Sequence, residues 1–268
     1  MLVEKTLFGT EDKIATALER IKYFEPKDGN GFYVAFSGGK DSIVIKDLVV
    51  KSGVKYDIHF NFTTVDPPEL VKFINDYHKD VQVHRPKESM FQLIVRKRLL
   101  PTRMIRYCCE ILKEYGGQDR VQITGVRWTE SPKRKQRRLF ETCRRDGTKR
   151  FLHPIIDWSD DEVWEYIRQE KLPYCKLYDE GFTRIGCIGC PMVNQKGEFE
   201  RWPKFEKAYK FAIKKMIEKN KKDYETGIYK PKNGPKCLGL SDVETVWEWW
   251  LRKNQQEPNQ DSQCLLFE

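Results

Sequence analysis

The chain has 268 residues, a formal net charge of +9, 13% aromatic and 33% charged residues. That length can bury one large domain with an appendage, and the aromatic content excludes a disordered chain. The opening Met1-Leu2-Val3-Glu4-Lys5-Thr6 lacks the basic-then-apolar order of a secretory signal, and no apolar run approaches the ~20 residues of a membrane span. A cytoplasmic protein with no membrane partner is expected.

In chain order, an amphipathic helix is expected over 10–24, with Ile14, Ala17, Leu18 and Ile21 on one face. The apolar, aromatic run 31–36 suits a buried strand. A Ser-Gly-Gly loop follows, then a helical pattern carried by Ile43, Val44, Ile45, Leu48, Val49 and Val50. Further strands are expected over 56–62, 81–84 and 121–126, and helices over 69–78 and 88–99. Strands alternating with helices predict an α/β fold with a doubly wound, mostly parallel sheet, whose ligands sit at the carboxyl ends of strands. The loops 37–42, 63–69 and 125–131 all fall at such ends. Ser159 is the expected N-cap of a further helix, with Asp160, Asp161 and Glu162 in its first turn. From about 172 the chain becomes turn-rich and cysteine-bearing, then helical over roughly 202–222 and 242–253. Two domains are therefore expected: a nucleotide-binding α/β domain over 1–172, and a cysteine-rich segment, helical region and tail over 173–268.

Ser37-Gly38-Gly39-Lys40-Asp41-Ser42 departs from the Walker pattern but uses related physics. Glycines let backbone N–H groups approach a phosphate, and the following helix points its positive end there. Lys40 adds a charge, and the hydroxyls of Ser37 and Ser42 can donate. Asp41 is out of place beside an anion unless it serves a divalent metal such as Mg²⁺ or caps the helix. Basic runs at 133–138, 144–145 and 219–222 invite polyanions or form solvated faces. His84 and His153 are expected in structural roles.

Among eight cysteines, Cys108 and Cys109 are adjacent and Cys187 and Cys190 form a C-x-x-C. Four soft thiolates suit an iron–sulfur cluster or a zinc ion, although adjacent cysteines strain a tetrahedral zinc site. The bland alternative is a pair of buried hydrophobes plus a redox pair or zinc half-site.

Several segments resemble the phosphoadenosine phosphosulfate (PAPS) reductase family of the adenine-nucleotide α-hydrolase-like superfamily. They are the 37–42 loop, Thr63-Thr64-Val65-Asp66-Pro67-Pro68-Glu69, Arg106-Tyr107-Cys108-Cys109, Gly125-Val126-Arg127-Trp128-Thr129-Glu130-Ser131, His153-Pro154-Ile155-Ile156-Asp157-Trp158 and Gly186-Cys187-Ile188-Gly189-Cys190. The resemblance implies an adenine pocket near Ala35, Phe36 and Asn61 to Thr64, with Arg127 closing over the anionic end and Asp66 and Gly125 among the nucleotide-binding residues. It also implies a [4Fe–4S] cluster on Cys108, Cys109, Cys187 and Cys190. Lys113 either neutralises that cluster or is solvated.

Sulfate-cleaving members carry a nucleophilic cysteine in a Glu-Cys-Gly-type tail, which this chain lacks. Cys264 and, more weakly, Cys237 are the alternatives. The intact loop instead resembles enzymes that split ATP into AMP and pyrophosphate. Three functions are therefore expected to compete. The first is ATP α–β cleavage with iron–sulfur-dependent sulfur transfer, as in DNA phosphorothioation systems, with a cysteine desulfurase as donor. The second is thioredoxin-dependent reduction of adenylyl sulfate or its 3′-phosphate. The third is non-catalytic binding of nucleotide or nucleic acid. Oligomeric state stays open, a homodimer included.

Overall fold

The computed structural model describes residues 2–6, 9–143, 147–231 and 237–255. The run of apolar residues before the glycine loop becomes β3 (Phe32–Ala35), in which Phe32, Tyr33 and Val34 are all buried. Strands buried on both faces read as continuous apolar runs, and β3 accordingly lies inside a six-stranded sheet of order β5-β4-β3-β6-β8-β7. Its neighbours are β4 (Tyr56–Asn61) and β6 (Val121–Ile123), both parallel to it. β5 (Gln82–His84) and β8 (Arg150–Leu152) extend the parallel sheet outward. Only the edge strand β7 (Phe140–Thr142) runs antiparallel, against β8. The sequence pattern did not reveal β7, because three residues among charged neighbours carry no alternation.

Helix α2 (Lys40–Ser52) links β3 to β4 and α3 (Pro68–Tyr77) links β4 to β5. A parallel connection of this kind needs a crossover element. α2 packs against α1 (Lys13–Tyr23) and α5 (Asp160–Gln169). The first helix starts later than its periodicity suggests. Gly9–Asp12 form β2, antiparallel to β1 (Val3–Thr6), and the Asp12 carboxylate caps α1 by accepting from Ile14 N–H at 2.9 Å and Ala15 N–H at 3.0 Å.

Contacts divide the chain into two interleaved units rather than at a single cut after 172. The first comprises 1–61, 68–84 and 116–185, and the second 62–67, 85–115 and 186–268. The first unit holds the sheet. The second is helical: α4 (Met90–Lys97), α6 (Gln195–Arg201), α7 (Pro203–Glu225) and α8 (Val243–Gln255), with α7 packed on α4, α6 and α8. Its core is aromatic. Tyr209 meets Trp250 at 5.1 Å and Phe91 at 5.2 Å between ring centroids, and Phe199 meets Trp247 at 4.9 Å. The buried Trp250 indole donates to the Pro101 carbonyl at 2.7 Å, satisfying its one polar atom. Among the described residues no helix is long and apolar enough to cross a membrane.

Candidate functional site

The strand order reverses between β3 and β6: the chain moves outward from β3 through β4 to β5, then returns to β6 on the other side. In open parallel sheets the crevice at such a reversal receives ligands. The loop 37–42 lies at this point, after β3, and Gly125 to Arg127 lie just past β6. Gly38 has φ +72°, and a Cβ there would sit 2.7 Å from Leu70 Cδ1, so only glycine fits. A Cβ on Gly125 would come within 2.8 Å of Asp41 Cβ and 3.0 Å of its backbone, so this glycine lets the two segments touch. Ser42 closes the loop by donating its hydroxyl to the Gly39 carbonyl at 2.8 Å and accepting from the Ser37 N–H at 3.2 Å. Gly39, the N-cap of α2, has no side chain to cover the helix end, which leaves a positive backbone terminus suited to an anion.

Cations crowd this terminus. Lys40 is buried and donates from Nζ to the Thr183 carbonyl at 2.9 Å. Arg127 is only 3% exposed, with Nε 2.7 Å from Asp41 Oδ1. Both cations also reach Asp160 Oδ1, at 3.1 Å from Lys40 and 2.9 Å from Arg127. Asp41 thus has a defined task, holding Arg127 against the loop. The Lys40 N–H donates to the Tyr178 hydroxyl at 2.9 Å, and burial, together with the nearby Asp41 and Asp160 charges, keeps that hydroxyl protonated. Arg134 belongs to the same group. Burial lowers its pKa, and so do the like charges of Arg184, Arg137 and Arg127, while Asp41 opposes them. The basic run 133–138 is nevertheless partly compensated, since Arg134 pairs with Glu130 and Arg137 with Glu141.

Thr64 and Asp66 belong to the second unit. Thr64 takes a left-handed φ of +69° and accepts the Met90 N–H on Oγ1 at 2.9 Å. Asp66 accepts the Thr63 N–H at 2.6 Å. Burial raises its pKa, against the pull of Lys113.

All four cysteines singled out above lie in this second unit. Cys109 opens a single π-helical turn, Cys109–Lys113, with Cys108 at its N-cap; such turns recur at functional sites. Their thiols hydrogen-bond each other, which raises the Cys108 pKa and lowers that of Cys109. Cys108 also feels the charges of Cys187 and Cys190. Cys187 donates to Thr63 Oγ1 at 3.3 Å, and burial raises its pKa. Cys187 in turn raises the pKa of Lys113, which hydrogen-bonds to it. A Cβ on Gly189 would strike the Phe199 and Tyr209 rings at 2.9 Å, and Tyr209 donates to the Ile188 carbonyl at 3.0 Å, so the C-x-x-C turn is anchored to the aromatic core.

Four soft donors beside a lysine have the chemistry of an iron–sulfur ligand set. Among the described residues, however, no three His, Cys, Asp or Glu side chains converge into a group able to hold a metal ion. Cys108 and Cys109 hydrogen-bond each other and Cys187 donates to Thr63, so the four thiols stand as a candidate ligand set. Cys264 lies outside the described residues. Cys237 is buried beside the Tyr229 hydroxyl at 3.5 Å.

The pattern of residues singled out Lys40, Asp41 and Arg127, which the structure brings together, but not the convergence of Asp160, Tyr178 and Thr183 on the loop. Asp160 carries the signal of a helix first turn, and nothing near 178 or 183 marks a phosphate site.

A parallel sheet with a glycine loop and buried cations at its switch point defines a nucleotide-binding α/β protein. The family model described as the phosphoadenosine phosphosulfate reductase domain matches residues 31–193, and the chain belongs to that family. It is 33% identical over 205 residues to an uncharacterized protein of Methanocaldococcus jannaschii, covering 70% of this chain and 42% of that one. A second protein of that organism is likewise spanned over less than half its length. An adenosine 5′-phosphosulfate reductase of Staphylococcus haemolyticus is 26% identical over 216 residues, covering 74% of this chain and 87% of that one. The phosphate complex of phosphoadenylyl-sulfate reductase from Candida auris shares the fold, with a TM-score of 0.53 at 19% identity, covering 65% of this chain and 89% of that one.

Proposed function

We propose that the chain is an enzyme that binds ATP through the 37–42 loop and cleaves it between the α and β phosphates in the service of sulfur transfer. The observation that carries this reading is the complete loop with Lys40 and Arg127 buried at the switch point. An acceptor oxygen attacks the α-phosphorus, the bond to the bridging oxygen breaks, and its electron pair leaves with pyrophosphate. The backbone of the loop, the α2 terminus, Lys40 and the hydroxyls of Ser37 and Ser42 hold that departing charge, and Arg127 faces the α-phosphate. Asp41, which holds Arg127 through Oδ1, would meet Mg²⁺ on the phosphates with its other oxygen. A sulfur nucleophile then displaces AMP from the activated acceptor. Cys108, Cys109, Cys187 and Cys190 would hold an iron–sulfur cluster, which supplies electrons or sulfide when bound, with Lys113 balancing its charge.

The test is release of pyrophosphate from ATP–Mg²⁺ by anaerobically purified protein offered sulfide and candidate acceptors, DNA and RNA included. Pyrophosphate formation that disappears in Lys40→Ala supports the reading. Its absence, with sulfite released from adenylyl sulfate in the presence of thioredoxin, replaces it with a reductase. That second reading has its own support in the reductase of S. haemolyticus, which the alignment spans over 87% of its length.

A further inference from the structure

Lys40 and Arg127 come from different elements, yet one carboxylate oxygen serves both. Asp160 Oδ1 lies 3.1 Å from Lys40 Nζ and 2.9 Å from Arg127 Nη2. The two cations are buried, whereas the Asp160 side chain is 56% exposed. Helix α5 does not depend on it, because the capping box uses Ser159 and Glu162. The cations do not depend on it either. Lys40 keeps the Thr183 carbonyl, and Arg127 keeps Asp41 and the Trp158 carbonyl at 3.4 Å. A side-chain rotation can therefore return Asp160 to water while the loop keeps its shape. What it leaves is a lysine and an arginine aimed at one oxygen position, a contact that phosphate oxygens make.

We propose that Asp160 is an internal stand-in for a phosphate oxygen: it neutralises Lys40 and Arg127, and a di- or triphosphate displaces it on binding. The inference rests on the reading of the 37–42 loop as a phosphate site. Its consequence has a definite sign. A residue that merely positions the two cations adds to affinity, whereas a stand-in competes with the ligand and subtracts from it. The exchange favours a polyphosphate, which brings more charge than the single carboxylate it releases. Asp160 thereby guards the two cations against weakly charged anions.

Calorimetric titration of the wild type, Asp160→Asn and Asp161→Asn with ATP–Mg²⁺ and with inorganic pyrophosphate tests this. Asp161 is exposed in the same first turn, so its variant reports the general effect of losing one negative charge. Asp160→Asn is expected to lower Kd for both ligands roughly three- to tenfold, since each exposed ion pair given up is worth a few-fold in an equilibrium constant. Asp161→Asn is expected to change it less than twofold. Asp160→Ala repeats the measurement without an amide that could still hydrogen-bond, and circular dichroism checks that each variant folds. Unchanged or weaker binding in both Asp160 variants overturns the proposal, and so does equal tightening in Asp161→Asn. Wild-type binding that Lys40→Ala abolishes, with no tightening in Asp160→Asn, removes the role of Asp160 and leaves the phosphate site standing. A wild type that binds neither ligand removes both.

Discussion

The nucleotide loop and the cysteine segment solve opposite electrostatic problems. At the loop, positive charge is concentrated and held in check by carboxylates: Asp41 and Asp160 on Arg127, and Asp160 on Lys40. At the cysteines, burial keeps Cys187 a protonated thiol and the cation beside it is a lysine, Lys113. The first site is shaped by glycines and backbone dipoles, the second by a π turn and an aromatic floor. The contrast teaches that each region is self-sufficient in its counter-charges, so each should be separable by mutation.

The largest expected effects test that separation directly. Lys40→Ala should weaken ATP–Mg²⁺ binding by about 100-fold or more, the scale of a lost charge-assisted contact in a desolvated site. It should leave the visible absorption of anaerobically purified protein untouched. Cys187→Ser should do the reverse, removing the visible absorption that the proposed iron–sulfur cluster would give and preserving nucleotide affinity. Loss of both properties in either variant would break the contrast.

Backbone substitutions come next. Gly38→Ala and Gly189→Ala each force a Cβ onto a left-handed residue and into packed side chains, Leu70 in one case and Phe199 with Tyr209 in the other. Each should cost about 2–4 kcal/mol in a urea titration. The aromatic rings beside Gly189 have less room to yield than a leucine methyl, so Gly189→Ala should be the costlier. A reversed order would show that the loop, not the C-x-x-C turn, is the more tightly packed.

Acid sharpens the comparison further, because all four histidines lie in the first unit. His78 and His153 are held down to about 4, by burial first and then by Lys46 and Arg137 respectively. Unfolded imidazoles bind protons near pH 6.5, whereas these native ones stay neutral until about 4. Their contribution is full above pH 6.5 and is lost as pH falls toward 4, up to about 3 kcal/mol for each histidine. Hydrogen exchange at pH 4.5 should therefore lose protection in α3 and β8, which end just before these histidines, before α7. Early loss in α7 would contradict this.

The smallest effects are the helix caps, one in each unit. Ser89 and Ser159 both complete capping boxes, with Gln92 and Glu162. Alanine at either should cost about 1 kcal/mol in thermal or urea unfolding. Unequal costs would expose a difference in how strongly each unit holds its helix ends.

Much of the fold was legible because its signals are local. Ser159 caps the helix that its polar first turn announces, and the apolar run before the glycine loop is a buried strand. Gly38, Lys40, Asp41, Ser42, Gly125 and Arg127 assemble where the loop positions pointed. β7 stayed hidden, since three residues paired only to β8 leave no period. The hairpin of β1 and β2 was masked by a helical pattern that starts three residues too early. The four cysteines were singled out by their spacing, but the hydrogen bonds that Thr63 and Lys113 make with Cys187 left no trace in it.

The sequence by itself determined the alternation of strands and helices, the glycine loop between β3 and α2 and the family to which the chain belongs. These depend on residues adjacent along the chain, where backbone preference and side-chain spacing act directly. Only the tertiary structure decided the strand order, the interleaving of the two units and the meeting of Asp160, Tyr178 and Thr183 with Lys40. Those contacts join residues more than a hundred positions apart, and their formation depends on which surfaces the whole chain buries together, a property that no local stretch contains.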